Sequence, residues 1–251
     1  RKKNALGFRP RSLRETRQHM PFSSEEENEG EACASQPAYS FALDDPRWMQ
    51  HLQEEGYCVV RGAASAAEVD EAKSILWRDI EAAHGAVRGA PATWGGFWLP
   101  TTGLCAHLAQ SMGAWFVRSL PGVKAAFELV WATGDLIVSM DAVIAWRPWW
   151  LDESWRPQTE GLHIDQNPAT KPKLECVQGM VPLIAVTERS GGLEVVPRSH
   201  GEEARARLQQ RYRWGGDWCP LDHDDPMRAH GVLLLASAGD LILWDSRTVH
   251  G

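Results

Sequence analysis

The chain has 251 residues, of which 43% are hydrophobic, and its formal net charge at pH 7 is −7. That length and apolar content suffice for one sizeable hydrophobic core. The acidic balance argues against nucleic-acid binding as the main function, and no apolar run approaches the roughly 20 residues of a membrane span. These numbers leave the oligomeric state open.

The cysteines are odd in number and form no Cys-x-x-Cys pair; they are Cys33, Cys58, Cys105, Cys176 and Cys219. This usage indicates a reducing compartment, cytoplasmic or organellar, and no disulfide framework. The chain begins with Arg1 and not with methionine, so we interpret it as a fragment in which a targeting peptide would not be visible.

Residues 1–38 are predicted to be a disordered segment. Residues 1–20 carry seven lysines and arginines against one acid, and residues 24–31 carry five glutamates. Neither stretch has the apolar periodicity that a packed element needs. The alternative is the remnant of a basic targeting segment. We expect residues 39–251 to form a single domain.

The first half of that domain is predicted to be mostly helical. Asp45-Pro46 opens a short helix that ends at Gly56, and a short strand follows at residues 57–60. Ser65 and Glu68 have the spacing of a capping box, which starts a second helix. Two more helices are predicted at residues 104–117 and 123–131, separated by a Pro-Gly pair.

The second half is predicted to be rich in β-strands, interrupted by one charged helix at residues 202–212. The strands are expected at residues 135–146, 161–165, 176–186, 193–196, 233–235 and 240–244. Several short strands with glycine-containing turns favour a jelly roll or barrel over a parallel sheet. The fold class is therefore mainly β with flanking helices.

A His-Ile-Asp triplet at residues 163–165 is the strongest chemical signal. Residues i and i+2 of a strand point to the same face, so His163 and Asp165 can offer two ligands to one metal ion. A second imidazole from His250 would complete the two-histidine, one-carboxylate set of non-haem Fe(II) oxygenases. Zinc fits the same ligands, and a hydrogen-bonded pair on an exposed strand is the non-metal alternative. A second His-x-Asp at residues 223–225 lies in a proline-bounded loop, so it is the weaker candidate.

Three ordered segments, residues 163–168, 191–200 and 239–250, resemble the phytanoyl-CoA dioxygenase family. The resemblance is clear from Asp135 to Gly251 and weaker from Asp44 to Thr133. It implies a double-stranded β-helix, also called a jelly roll and cupin-like. It also implies a dioxygenase that uses Fe(II), 2-oxoglutarate as cosubstrate and O2, with His163, Asp165 and His250 as catalytic metal ligands.

The resemblance further implies hydroxylation of a small organic or lipid-like substrate. Related halogenating enzymes have alanine or glycine at the position of Asp165, so the carboxylate points to hydroxylation or a related oxidation. The family clamps 2-oxoglutarate with an arginine shortly after the second histidine. We expect that arginine beyond Gly251, which makes the domain appear truncated at its C-terminus.

Residues that bind the cosubstrate 2-oxoglutarate are harder to predict from the sequence than the metal ligands. If the last strand is regular up to His250, Thr248 lies on the same face as that histidine, whereas Arg247 points away. Gln178 and Met180, on the strand after the His-Ile-Asp triplet, are candidates to line the same pocket, with ordinary packing as the alternative.

Two other readings of the function stay open. The first is a non-catalytic jelly-roll binding domain, and the second is a zinc-bound, cupin-like protein. Gln166 and Asn167 follow the triplet directly. They either orient the metal ligands through hydrogen bonds or only cap a turn.

Overall fold

The computed structural model describes residues 37–94, 102–139 and 142–251. The predicted disordered segment therefore lies outside the described residues, apart from Pro37 and Ala38. Within these ranges the fold combines mixed sheets and helices.

Most of the strands in the second half of the chain are shorter than the sequence pattern predicts. The strands are β1 (Ser40–Ala42), β2 (Tyr57–Arg61), β3 (Leu104–Cys105), β4 (Val143–Ile144), β5 (His163–Ile164), β6 (Val177–Met180), β7 (Glu194–Val195), β8 (Cys219–Pro220), β9 (Val232–Leu233) and β10 (Leu241–Asp245). The α-helices are α1 (Arg47–Glu55), α2 (Ala66–His84), α3 (Met112–Ser119), α4 (Pro121–Trp131) and α5 (Glu202–Arg211).

Local signals set several of these helix boundaries. Helix α1 ends at Gly56, which adopts a left-handed conformation with φ of +87°. Helix α2 begins with the predicted capping box: the Ser65 hydroxyl accepts the Glu68 amide at 3.3 Å, and the Glu68 carboxylate accepts the Ser65 amide at 2.8 Å. Both helix signals predicted from the sequence are thus confirmed.

The predicted helix at residues 104–117 is wrong in its first half. Residues 104–105 form β3, which pairs antiparallel with β4, and a 3-10 turn follows. Helix α3 begins only after Ser111, whose hydroxyl accepts the amide of Ala114 at 3.2 Å. A short apolar run fits a strand as well as a helix, so the cap at Ser111 is the better guide to the boundary.

The first sheet has the strand order β1-β2-β10-β6, and β10 is antiparallel to both of its neighbours. Successive residues of its central strands, β2 and β10, point alternately to the face that packs against helices and to the opposite face. One face contributes Cys58, Val60, Leu241 and Leu243 to a core shared with Trp48, Leu52, Val123 and Ala126 of α1 and α4. The other face contributes Tyr57, Val59, Ile242 and Trp244 to a second core. The sheet is therefore buried on both faces.

The second sheet faces that second core, to which it contributes Val195 and Leu234. It contains the pairs β5-β8 and β7-β9. His250 connects the two pairs because it forms antiparallel bridges with both His163 and Val195. The end of the described chain thus lies between β5 and β7.

The final strand is interrupted, which corrects the regular strand expected up to His250. Strand β10 ends at Asp245 in the first sheet, and the Thr248 amide donates to the Asp245 carbonyl at 2.8 Å in the turn that follows. The chain then crosses to the second sheet at His250. Simple alternation of faces therefore does not extend from Trp244 to His250.

The four cysteines in the described ranges, Cys58, Cys105, Cys176 and Cys219, are free. No helix among residues 37–94, 102–139 and 142–251 combines the length and apolarity needed to cross a membrane.

Candidate metal centre

His163, Asp165 and His250 come together as the sequence predicts. The amide of His163 donates to the carbonyl of His250 at 2.7 Å, and the reverse bond is 2.9 Å long. This pairing places both imidazoles beside the carboxylate: His163 Nε2 lies 3.6 Å from Asp165 Oδ1, and His250 Nε2 lies 3.4 Å from Asp165 Oδ2. One potential ligand atom from each residue lies within 4.8 Å of the others, so the group can hold one metal ion.

Backbone carbonyls fix the tautomers of the two imidazoles. His163 Nδ1 lies 2.9 Å from the carbonyl oxygen of Gly161, and His250 Nδ1 lies 2.9 Å from that of Thr248. A carbonyl oxygen only accepts, so each Nδ1 carries the proton. Each Nε2 is then left with a lone pair on the side of Asp165, which is the arrangement that metal-binding histidines have in proteins.

The electrostatics favour the metal-binding forms of Asp165 and His163. Burial opposes ionisation of Asp165, but the interactions of its carboxylate with His250, Gln178 and His163 outweigh burial and lower the pKa of Asp165 to about 2. Burial is the largest cause, and the nearby His250 the second, of a pKa of His163 that lies below its usual value. A carboxylate that is ionised and an imidazole that is neutral bind a metal without first losing a proton.

Two tryptophans flank the imidazoles. The Trp218 ring lies 6.1 Å from the His163 ring and is 52% exposed, whereas the Trp244 ring lies 5.4 Å from the His250 ring and is 8% exposed. Sequence reasoning did not identify Trp218, because its contact depends on the β5-β8 pairing and no local motif marks it.

Of the predicted cosubstrate residues, Gln178 lies nearest to the three ligands. Its Nε2 donates to Asp165 Oδ2 at 2.8 Å. Met180 lies two residues further along β6, half-buried opposite Ile242 and packed against the second core. Their contact with a cosubstrate stays a prediction.

Thr248 is fully buried, and its hydroxyl donates to the Gly56 carbonyl at 3.0 Å. Since its own carbonyl accepts His250 Nδ1, Thr248 fixes the orientation of that imidazole. The hydroxyl proton is already used within the protein, and a cosubstrate contact through Thr248 also stays a prediction.

Gln166 and Asn167 brace the loop after the His-Ile-Asp triplet. Gln166 Oε1 accepts from the Ser246 hydroxyl at 2.6 Å, and Asn167 Nδ2 donates to the Gly216 carbonyl at 3.1 Å. The Arg247 side chain is held by Asp245, with 2.5 Å between Nη2 and Oδ2. Of the two roles predicted for Gln166 and Asn167, these contacts fit the loop-stabilising one.

Among the described residues, the second His-x-Asp triplet is not part of a cluster that could hold a metal ion. His223 is exposed, whereas Asp225 is buried and accepts hydrogen bonds from the Tyr212 hydroxyl at 2.6 Å and the Met227 amide at 2.9 Å. Asp225 thus caps a 3-10 helix. The prediction that residues 223–225 lie in a loop is confirmed, and the geometry favours residues 163–165 as the metal-binding triplet.

A cluster of two buried histidines and one part-exposed carboxylate, next to the β5-β8 and β7-β9 pairs, defines a candidate metalloenzyme of the non-haem type. The family model for phytanoyl-CoA dioxygenase (PhyH) matches residues 134–251. Ava biosynthesis cluster protein O from Aspergillus versicolor is 30% identical over 223 residues, which cover 81% of this chain and 70% of that protein. The chain belongs to the phytanoyl-CoA dioxygenase family.

Solved structures give the same fold at low sequence identity. GlcNAc Inducible Gene 2 (GIG2) from Candida albicans is 13% identical with a TM-score of 0.57, covering 84% of this chain and 62% of that one. AviO1 from Streptomyces viridochromogenes Tue57 is 14% identical with a TM-score of 0.50, covering 83% and 86%. At these identities the similarity concerns the fold alone.

Proposed function

We propose that this protein is an Fe(II)- and 2-oxoglutarate-dependent dioxygenase that hydroxylates a small organic or lipid-like substrate. His163, Asp165 and His250 are the proposed catalytic metal ligands. We also propose that the two sheets are the two halves of a double-stranded β-helix with this cluster between them. The observation that carries the proposal is the triad itself, with both Nδ1 atoms bonded to carbonyls and both Nε2 atoms beside one carboxylate.

The donor set fits the metal. Two imidazole nitrogens and one carboxylate leave coordination positions open, which an oxygenase needs for its cosubstrate and O2. When bound, iron supplies the oxidising chemistry, in which 2-oxoglutarate and O2 are converted to succinate and CO2 as the substrate is oxidised. Zinc accepts the same donors but has no redox chemistry, so identity of the metal separates an oxygenase from a zinc-bound, cupin-like protein.

The protein's own contribution is to hold and orient the three proposed metal ligands. The carbonyls of Gly161 and Thr248 hold the two imidazoles, and Gln178 holds the carboxylate. Both histidines are largely buried, with exposed fractions of 9% for His163 and 4% for His250, whereas the Asp165 side chain is 28% exposed.

The test is succinate release. Protein loaded with Fe(II) should convert 2-oxoglutarate and O2 to succinate, and a substrate should stimulate the rate. The Asp165→Ala variant should lose this activity, while His223→Ala, an exposed histidine from the second triplet, should retain it. Equal activity of wild type and Asp165→Ala, or no succinate from protein with a full complement of iron, would refute the proposal and favour a binding domain.

A further inference from the structure

Two side chains next to the metal cluster each have a buried polar atom without a hydrogen-bond partner. Six buried side-chain atoms in the described residues have no hydrogen-bond partner, and they include Trp244 Nε1 and Gln178 Oε1. These two residues are direct partners in the pairing of β10 with β6. Directly opposed side chains of neighbouring strands lie on the same face, with Cβ atoms about 4.5–5.5 Å apart.

Both side chains border the proposed metal ligands. Gln178 donates to Asp165, and the Trp244 ring packs at 5.4 Å from the ring of His250. Trp244 is also 92% buried, since its exposed fraction is 8%. The free amide oxygen of Gln178 belongs to the same planar amide as the nitrogen that contacts Asp165, so it lies within a few ångströms of that carboxylate.

Neither atom can find a partner by simple rotation. Turning the Gln178 amide over would place its oxygen against the Asp165 carboxylate, and two acceptors repel. The indole nitrogen of Trp244 only donates. Buried polar atoms without a partner are rare in folded proteins and mark positions where a ligand or water completes the hydrogen bonding.

We propose that Trp244 Nε1 and Gln178 Oε1 together bind a hydroxyl group of the substrate. A hydroxyl accepts one hydrogen bond and donates another, which matches one indole donor beside one amide acceptor. A carboxylate or ketone only accepts, so it would bond to Trp244 and face an acceptor in Gln178. An aliphatic group would satisfy neither atom.

This inference rests on the proposed function, because it takes the metal cluster to be the place where substrate binds. It adds the class of substrate: an alcohol whose hydroxyl lies beside Asp165. The same argument makes 2-oxoglutarate, which carries acceptors only at neutral pH, the poorer occupant of this position.

The test uses 2-propanol and acetone, which have nearly the same shape but differ in the donor. The full chain, with 15N-labelled tryptophan and loaded with diamagnetic Zn(II), is titrated with each compound by NMR. The Trp244→Phe variant identifies the indole signal of Trp244. The indole of Trp150, which is 54% exposed, is identified in the same way and serves as the control.

The Trp244 signal should shift saturably with 2-propanol and require roughly threefold to tenfold more acetone, the effect of one lost hydrogen bond. Trp150 should respond equally to both. In Gln178→Leu the preference for 2-propanol should disappear while the remaining indole signals keep their positions, which shows that the variant is folded.

An equal response of Trp244 to both compounds, no saturable response, or a preference that survives in Gln178→Leu would overturn the proposal. A signal that remains unchanged because bound water fills the position counts against it in the same way. The readout does not depend on turnover. A failed succinate assay with an intact 2-propanol preference would therefore refute the proposed function alone.

Discussion

Replacing Gln178 with leucine should weaken metal binding without removing a metal ligand. The Gln178 amide donates to Asp165 Oδ2 at 2.8 Å and thereby orients the carboxylate toward the two imidazoles. Leucine has a similar size and cannot donate a hydrogen bond. Asp165 would then lose a fixed orientation that metal binding requires.

The expected magnitude follows from the type of hydrogen bond. A bond to a charged group contributes about 1.5–3 kcal/mol, and about 1.4 kcal/mol corresponds to a tenfold change in affinity. That gives a loss of about tenfold to a hundredfold, which is also the usual range for groups that support metal ligands. The Asp165 side chain is 28% exposed, so water replaces part of the lost bond and we expect a value near tenfold.

Orientation and charge can be separated by pH. The pKa of Asp165 is about 2, and Gln178 is only one of several groups that lower it. The carboxylate of the variant therefore stays ionised at neutral pH, and the pH profile of metal binding should keep its shape while the affinity falls.

The assay is competition for Co(II) or Fe(II) against a chelator, followed across the pH range. Gln209→Leu, at an exposed position on α5, is the matched control and should bind metal as wild type does. An affinity of Gln178→Leu equal to that of the control, in protein with an unchanged unfolding midpoint, would refute the orienting role.

Further predictions concern the ligands, the close packing and the pH dependence. Alanine at any one of the three ligands should abolish tight Fe(II) binding as measured by metal content, whereas His223→Ala should retain it. Gly56→Ala should lower the free energy of unfolding by about 1–3 kcal/mol because of backbone strain and steric conflict. Gly56 has a φ of +87°, and a Cβ at this position would lie 2.5 Å from Thr248 Oγ1. Gly85→Ala, also at positive φ but in open space, should cost less in the same denaturation assay. Metal affinity should fall as the pH drops through the pKa of His163, because protons compete with the metal for Nε2. Burial lowers that pKa below 6.5. A metal affinity that already falls well above pH 6.5 would therefore contradict the assignment of His163 as a metal ligand.

The metal triad could be predicted because its signal is local. His163 and Asp165 share a strand face by their spacing, and the family resemblance supplies His250. Several strand regions were also predicted, and most of those strands are shorter than expected, whereas β1 and β8 were not predicted and β3 lies in a predicted helix. Alternating apolar residues report where a chain can be extended and not how many of its residues pair with a neighbour.

Other features depend on pairing between distant segments and could not be read from the sequence. The bond from Gln178 to Asp165 joins β6 of the first sheet to the residue after β5 of the second. Strand β6 belongs to the first sheet through β10, which also pairs with β2 from the other end of the domain. The break after Asp245 was missed for the same reason. A regular strand and a strand that crosses between sheets have similar local sequences, and tertiary packing decides between them.

The central claim is that the triad binds iron in a form that accepts 2-oxoglutarate. The most direct measurement is an anaerobic titration of the protein with Fe(II) and 2-oxoglutarate, recorded by visible absorption. A metal-to-ligand charge-transfer band should appear only when both are present, and it should be absent from Asp165→Ala. A protein that binds Fe(II) stoichiometrically and shows no such band at saturating 2-oxoglutarate would contradict the claim.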